Sequence, residues 1–176
     1  FYTGKSSCTP LTLPPSLRWT GDHLELLDQR RLPEEVSFLQ LHQWRDVAEA
    51  IATMAVRGAP AIGVAAAWGV VLAAQANEDL ELAVSVLKSS RPTAVNLGWA
   101  LERMKASPAA QDPVDPQGLA AVAAALEADD RARTQTLVDH GVGLLASGSR
   151  VLHHCHTGAI ATAGVGTALG VIAAGH

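Results

Sequence analysis

The sequence predicts a mixed α/β protein: a small antiparallel sheet with a helical bundle, followed by the start of a Rossmann-like parallel α/β domain. Three observations carry this. Apolar and polar residues alternate on either side of Gly21-Asp22, which is a β-hairpin pattern. From Gln43 the spacing lengthens to the i, i+3, i+4, i+7 rhythm of helical faces. Near Ser149 the character changes again: "SRVLHHC" is a short apolar, β-branched run leading into "HTGAIATAG" and an apolar helix, as in a β-α unit. One such unit cannot make a sheet, because parallel strands need partners and helical cover on both faces. The chain is therefore expected to be the front part of a longer protein. Its expected divisions are a loose leader over 1–15, the sheet and helical domain over 16–149, and the first β-α unit of a second domain over 150–176.

The leader, "FYTGKSSCTPLTLPP", mixes Gly, Ser, Thr and Pro. Leu17 and Trp19 before the turn and Leu24 and Leu26 after it define the hairpin, and "EVSFLQL" adds a third short strand. Trp44, Val47, Ala48, Ile51 and Met54 or Ala55 share one helical face, with a stop expected near Val56. A second helix is expected from Pro60, whose fixed φ and missing N–H suit a first helical turn. Its run "AIGVAAAWGVVLAAQA" is apolar on nearly every face and belongs at the centre of the core. Asp79 is a cap for a third helix to about Lys88, and Thr93 for a fourth through "AVNLGWALERM". The Pro-rich "SPAAQDPVDPQG" reads as a loop, and one long helix is expected from there to Gly148.

Composition excludes several functions. Of 176 residues 48% are hydrophobic and 17% charged, the balance of a packed globular chain. The net charge is -4, and the 13 basic residues are scattered, which argues against nucleic acid and anionic membrane as partners. Two cysteines, Cys8 and Cys155, and no secretory signal pattern imply a reducing cytoplasm. The uncharged runs 59–76 and 158–175 are dominated by Ala and Gly and interrupted by Gln, Thr or Gly. A bilayer requires about 20 strongly apolar residues, so both runs read as buried helices.

The chemistry concentrates in "MAVRGAPAIG", residues 54–63. Gly58 and Ala59 precede the amino end of the Pro60 helix, where unpaired amides and the dipole attract anions. Arg57 adds a planar fork for phosphate or carboxylate. The bland alternative is a tight interhelical turn with Arg57 paired to an acidic residue. "SSRPTAVN" repeats the arrangement, with Arg91 before Pro92 and a helix start. Cys155 lies where a strand is expected to enter a glycine-bearing turn, a position that can expose a thiol and lower its pKa; a small buried hydrophobe is the alternative. "HHCH", residues 153–156, invites a zinc reading, but neighbours on a strand point to opposite faces and no second ligand pair accompanies them, so no metal is expected.

Four blocks, "SLRWTGDHLELLDQRRLP", "MAVRGAPAIGVAAAWGVVLAA", "SRPTAVNLGWALERM" and "VLHHCHTGAIATAGVGTALGVIAA", together resemble the methylthioribose-1-phosphate isomerase family, relatives of the regulatory subunits of translation initiation factor 2B. They occur in the family's order and cover nearly everything after residue 15. The first block and "RPTAVN" favour the isomerase branch. The resemblance implies conversion of 5-methylthioribose 1-phosphate to 5-methylthioribulose 1-phosphate in methionine salvage, without nicotinamide or any other cofactor. It implies that Arg57, Gly58, Ala59 and Arg91 hold the sugar phosphate and that Cys155 is the catalytic cysteine, as proton donor or transition-state stabiliser.

Two positions depart from the family: His156 stands where Asn is usual, and His154 where Thr is frequent. The family's catalytic aspartate belongs to its C-terminal domain, and its members are usually homodimers. Two other readings of the same residues are a non-catalytic regulator of the initiation-factor type that binds a sugar phosphate or nucleotide, and an isomerase of ribose 1,5-bisphosphate or 5-deoxyribose 1-phosphate.

Overall fold

The computed structural model describes residues 14–175, so most of the expected leader lies outside the described residues. Strands β1 (Leu17–Trp19), β2 (Leu24–Leu27) and β3 (Phe38–Leu41) form an antiparallel sheet in the order β1-β2-β3. The hairpin turns at Gly21, whose φ of 110° suits a residue without Cβ. Leu24 faces Leu41 and Leu26 faces Leu39 across β2 and β3. Leu17, Leu24, Leu26 and Leu41 are buried on the helical bundle.

Six helices follow: α1 (Trp44–Ala52), α2 (Ala59–Gln75), α3 (Leu80–Ser90), α4 (Val95–Lys105), α5 (Pro116–Val142) and α6 (Ala168–Ala174). Their order explains the core. Every residue of α2 from Ala61 to Ala74 is buried, because α1, α3, α4 and α5 all pack on it and β1 and β2 reach its remaining side. Trp19 of β1 stacks on Trp68 of α2 with ring centroids 4.5 Å apart, and the Trp68 Nε1–H donates to Glu127 Oε2 at 2.9 Å. Sheet, central helix and α5 are thereby joined through one aromatic pair.

Helix ends match in part. The Asp79 carboxylate accepts from the Glu81 and Leu82 amides at 2.9 and 3.1 Å, as its cap role requires. The fourth helix begins one residue later than the Thr93 cap implies: Ala94 occupies the cap position with no side-chain bond. The Pro-rich loop holds a short 3-10 turn, Pro108–Ala110, and α5 already starts at Pro116 with Asp115 as cap. That helix stops at Val142 instead of continuing to Gly148. The glycines at 141, 143 and 148 weaken the continuation.

The largest departure is the strand expected over "SRVLHHC". Residues 149–154 form no strand, and Val151 and Leu152 are exposed, Leu152 at 98%. An isolated β-segment has no ladder to close, so its hydrophobic pattern alone cannot fix it as a strand. Beyond it, a 3-10 turn (Ala159–Ala161) and α6 lie against α2 and α5. The mixed α/β class holds, with its described sheet confined to the three antiparallel strands.

Candidate functional site

Two features at the start of α2 fix the seam loop. The Gln29 amide donates to the Ala55 carbonyl at 2.9 Å, tying the loop to the end of β2. Gly58, the cap residue of α2, has φ 91° and ψ 129°. A Cβ there would lie 2.4 Å from the Ala161 Cα and carbonyl oxygen, so the position admits only glycine. The seam is therefore tight because another stretch of backbone is pressed onto it.

That stretch, 157–167, is pinned from several sides. Gln29 Nε2–H donates to the Ile160 carbonyl at 2.8 Å, and the Ser16 hydroxyl to the Thr162 carbonyl at 2.6 Å. The Asp130 carboxylate of α5 accepts the Ala163 amide at 2.7 Å. Burial pushes the Asp130 carboxyl above its ordinary pKa, partly offset by that same amide. Inside the segment, buried Thr162 accepts from the Gly164 and Gly166 amides at 3.1 and 3.2 Å. Thr157 Oγ1 accepts the Leu169 amide at 3.2 Å at the start of α6. Sequence reading missed Ser16, Gln29 and Asp130 as members of this construction. Their partners lie 33 to 146 positions away, and no local pattern records such a pairing.

The two arginine loops lie at the same end of the bundle. A Cβ at Gly63 would meet the Asn96 carbonyl at 2.9 Å and the Ala100 Cβ at 3.5 Å, which places the first turns of α2 and α4 side by side. Val70 and Met104 line one cavity farther along, so the two helices run in the same direction. Arg91 caps the end of α3, and its carbonyl accepts the Ala94 amide at 3.0 Å before α4 begins. Both arginines are half-buried. Arg18, Arg30, Arg31, Arg45, Arg131 and Arg133 are ion-paired, whereas among the described residues neither Arg57 nor Arg91 has a carboxylate partner. The bland alternative for Arg57, a structural ion pair, is thus not what the chain builds.

Cys155 is exposed, with φ 76° in the left-handed region, so neither the expected strand end nor the buried-hydrophobe alternative describes it. It lies six positions before Ala161, the residue that touches Gly58. Among the described residues no hydrogen bond joins its thiol to Arg57 or Arg91. The neighbouring His153 Nδ1 is 3.2 Å from Thr157 Oγ1, and among the described residues the 153–156 run belongs to no set of three metal-ligating side chains. Five surface cavities of about 110 to about 600 Å³ are lined by other residues than Arg57, Arg91 and Cys155. Among the described residues, then, the seam and the 158–161 backbone meet, the two arginine loops share an end, and the thiol stands in solvent. No described helix is long and apolar enough to cross a membrane.

Comparison with known proteins adds five findings. A family model described as the Initiation factor 2 subunit family matches residues 55–176. A methylthioribose-1-phosphate isomerase of Parasynechococcus marenigrum (strain WH8102) is 96% identical over 166 residues, covering 94% of this chain and 49% of that protein. The isomerase of that name from Xanthomonas campestris pv. campestris (strain B100) is 53% identical over 168 residues, covering 90% of this chain and 48% of its own. Among solved structures, the 5-methylthioribose 1-phosphate isomerase of Pyrococcus horikoshii OT3 superposes with TM-score 0.81 at 31% identity, over 94% of this chain and 51% of that one. The delta subunit of translation initiation factor eIF-2B from A. fulgidus superposes with TM-score 0.77 at 33% identity, over 93% and 51%. The chain spans about half the length of the curated relatives it matches.

Proposed function

The chain belongs to the Initiation factor 2 subunit family, and from that premise we propose that it is part of an aldose–ketose isomerase that converts 5-methylthioribose 1-phosphate to 5-methylthioribulose 1-phosphate in methionine salvage. The observation that carries this is the 96% identity over 166 residues to a protein of that name. Backbone likeness does not separate the two branches, since the isomerase and the initiation-factor subunit superpose about equally well.

In this reading the Arg57, Gly58 and Ala59 seam and Arg91 hold the phosphate. The unpaired guanidinium groups and the first-turn amides of α2 supply donors without displacing an internal carboxylate. Phosphate on the anomeric oxygen blocks the free aldehyde, so the ring must open with a proton delivered to the ring oxygen. Hydrogen then moves from C2 to C1 with no net oxidation. Cys155 is the proton-handling group on one side of the sugar. An aspartate in the part of the relatives that this chain does not span serves the other side. Residues 16–149 form the sheet and helical domain in this scheme, and 150–176 open a Rossmann-like domain whose remaining strands complete the site. A homodimer and a cytoplasmic location accompany the metabolic role.

The test joins this chain to the remaining half of the Parasynechococcus relative and measures turnover of 5-methylthioribose 1-phosphate. The expected result is turnover in the joined protein, lost on Cys155→Ser and with a raised KM on Arg57→Met or Arg91→Met. Phosphate-ester binding without turnover would favour the regulatory reading that the initiation-factor likeness supports. Faster turnover of ribose 1,5-bisphosphate would overturn the substrate assignment.

A further inference from the structure

We propose that Gln29 is a positioning residue for the isomerisation, a role that rests on the isomerase reading: its side chain sets the segment after Cys155 in register with the phosphate-holding seam. Gln29 follows β2 and is buried. Its two nitrogens reach opposite walls. The backbone amide donates to the Ala55 carbonyl at 2.9 Å, two residues before Arg57. The side-chain Nε2–H donates to the Ile160 carbonyl at 2.8 Å, five residues after Cys155. A carbonyl oxygen only accepts, so the side-chain nitrogen must be the atom that faces Ile160. Among the described residues, no other forms hydrogen bonds to both the seam and the 157–163 stretch.

The bond to Ile160 acts on a unit that ends next to the thiol. The Ile160 and Thr162 carbonyls straddle Ala161, the residue pressed against Gly58. Ser16 holds the second carbonyl at 2.6 Å, and the Leu27 amide holds the Ser16 carbonyl at 2.9 Å, so both donors are set by the end of β2. The Thr157 carbonyl accepts the Thr167 amide at 2.8 Å, which ties residue 157 into the same unit. Only His156 separates it from Cys155. Replacing the Gln29 side chain leaves the Ala55 bond intact, because the backbone makes it. Arg57 and the α2 amides then keep their places, while the Ile160 carbonyl loses its donor and the Cys155 side loses its reference to the seam. Proton transfer needs its heavy atoms within about 2.6–3.2 Å, and a misplacement of about 1 Å can cost about 100-fold in rate. The phosphate grip and the thiol thus lie on opposite sides of one side-chain bond, and its loss should fall on the chemical step and spare binding.

Steady-state turnover of 5-methylthioribose 1-phosphate tests this in the protein that joins this chain to the remaining half of the Parasynechococcus relative, unsubstituted and as Gln29→Met, Gln29→Glu and Leu119→Ala. Gln29→Met keeps the length and removes the donor; Gln29→Glu keeps the shape and puts an acceptor in its place at neutral pH. Leu119 is fully buried in the first turns of α5, reached through the loop that leaves the far end of α4, so its truncation weakens the fold away from the seam. Near-UV circular dichroism supplies the folded fraction by which each rate is normalised. The expected result is a kcat lowered about ten-fold or more in both Gln29 variants with KM within about three-fold, and both constants of Leu119→Ala within about two-fold. Gln29 variants that keep kcat, or whose KM rises as much as kcat falls, overturn the proposal. An equal fall of kcat in Leu119→Ala does so too, since the effect would then be one of general stability. Absence of turnover in the unsubstituted joined protein instead overturns the isomerase reading, and the role of Gln29 falls with it.

Discussion

Residues 59–75 and 158–175 are written in nearly the same alphabet, uncharged and rich in Ala, Gly and Val, yet they meet opposite fates. The first is the continuous helix α2, buried from Ala61 to Ala74. The second breaks into a 3-10 turn, a knot of hydrogen bonds around Thr162 and the short α6, in which only Gly170 is buried. Apolar composition creates a demand for cover and does not supply it. α2 is covered by four helices and a sheet. In the later segment the 3-10 turn rests on α2 and α6 on α5, and the remainder lies open, with Val165 and Leu169 at 43% and 40% exposure. What a hydrophobic run becomes is decided by the partners it finds.

The two regions touch at Gly58 and Ala161, and the most damaging way to break the comparison is to push them apart there. Gly58→Ala combines a left-handed backbone with a Cβ 2.4 Å from backbone atoms that cannot rotate away. Strain and overpacking each cost about 1–3 kcal/mol, so a loss of about 4 kcal/mol is expected by urea denaturation. A loss below about 1 kcal/mol would show that the 158–161 segment does not rest on the seam. Next in size is Leu101→Ala. Leu101 is fully buried in the cluster around α2, and a cavity there is expected to cost about 3 kcal/mol in the same experiment.

The ties that hold the second region are smaller. Removing the Ser16 hydroxyl or the Gln29 amide deletes one bond to the Thr162 or Ile160 carbonyl, for about 1 kcal/mol each. Amide exchange at 160–167 should accelerate in Ser16→Ala and Gln29→Ala, while α2 amides remain protected. Uniform acceleration in both regions would mean that they unfold as one unit.

Acid and base should distinguish the regions as well. The Asp28 carboxylate, buried at the end of β2, forms a bidentate pair with Arg30 at 2.8 and 2.7 Å, which lowers its pKa from 3.8. Its contribution is present above pH 3.8 and is lost as pH falls through the lowered value. Asp130 behaves in the opposite sense. Its pKa is raised from 3.8 by burial, so the folded state holds a proton that the unfolded state releases, and stability declines as pH rises from 3.8 through the raised value. Asp130→Asn keeps an acceptor for the Ala163 amide and should remove that decline without changing the acid limb. An unchanged pH profile would exclude Asp130 as the titrating group.

The three strands, the α1 face and the central place of α2 were legible because each follows from a local period or from a run with no polar face. So was the Asp79 cap, a cue carried by one residue. The Thr93 cap failed by one position, since Ala94 holds that place without a side-chain bond. At the candidate site, the seam's glycine and helix start could be read from "VRGAP", but the cause of its tightness could not. Ala161 reaches Gly58 only through bonds from Ser16, Gln29 and Asp130. The strand expected near Cys155 was misread because a periodic pattern shows which face would be apolar, not whether another strand lies alongside. The stacking of the His23 and His42 rings went unread for the converse reason: it exists only through the register of β2 and β3.

The smallest expected effect tests that lesson most directly. Leu152 is 98% exposed, so Leu152→Ala in this chain should change unfolding free energy by less than about 0.5 kcal/mol. If residues 150–155 become a covered strand when the rest of a family member is joined to the chain, the same substitution should cost about 2–3 kcal/mol there, the ordinary range for a newly buried leucine. A null effect in both contexts would mean that the run is a surface linker in the longer protein too, and the domain boundary proposed at 149/150 would have to move toward α6. A sizeable cost in the present chain would mean that Leu152 already has cover, and that the contrast with α2 is smaller than its exposure implies.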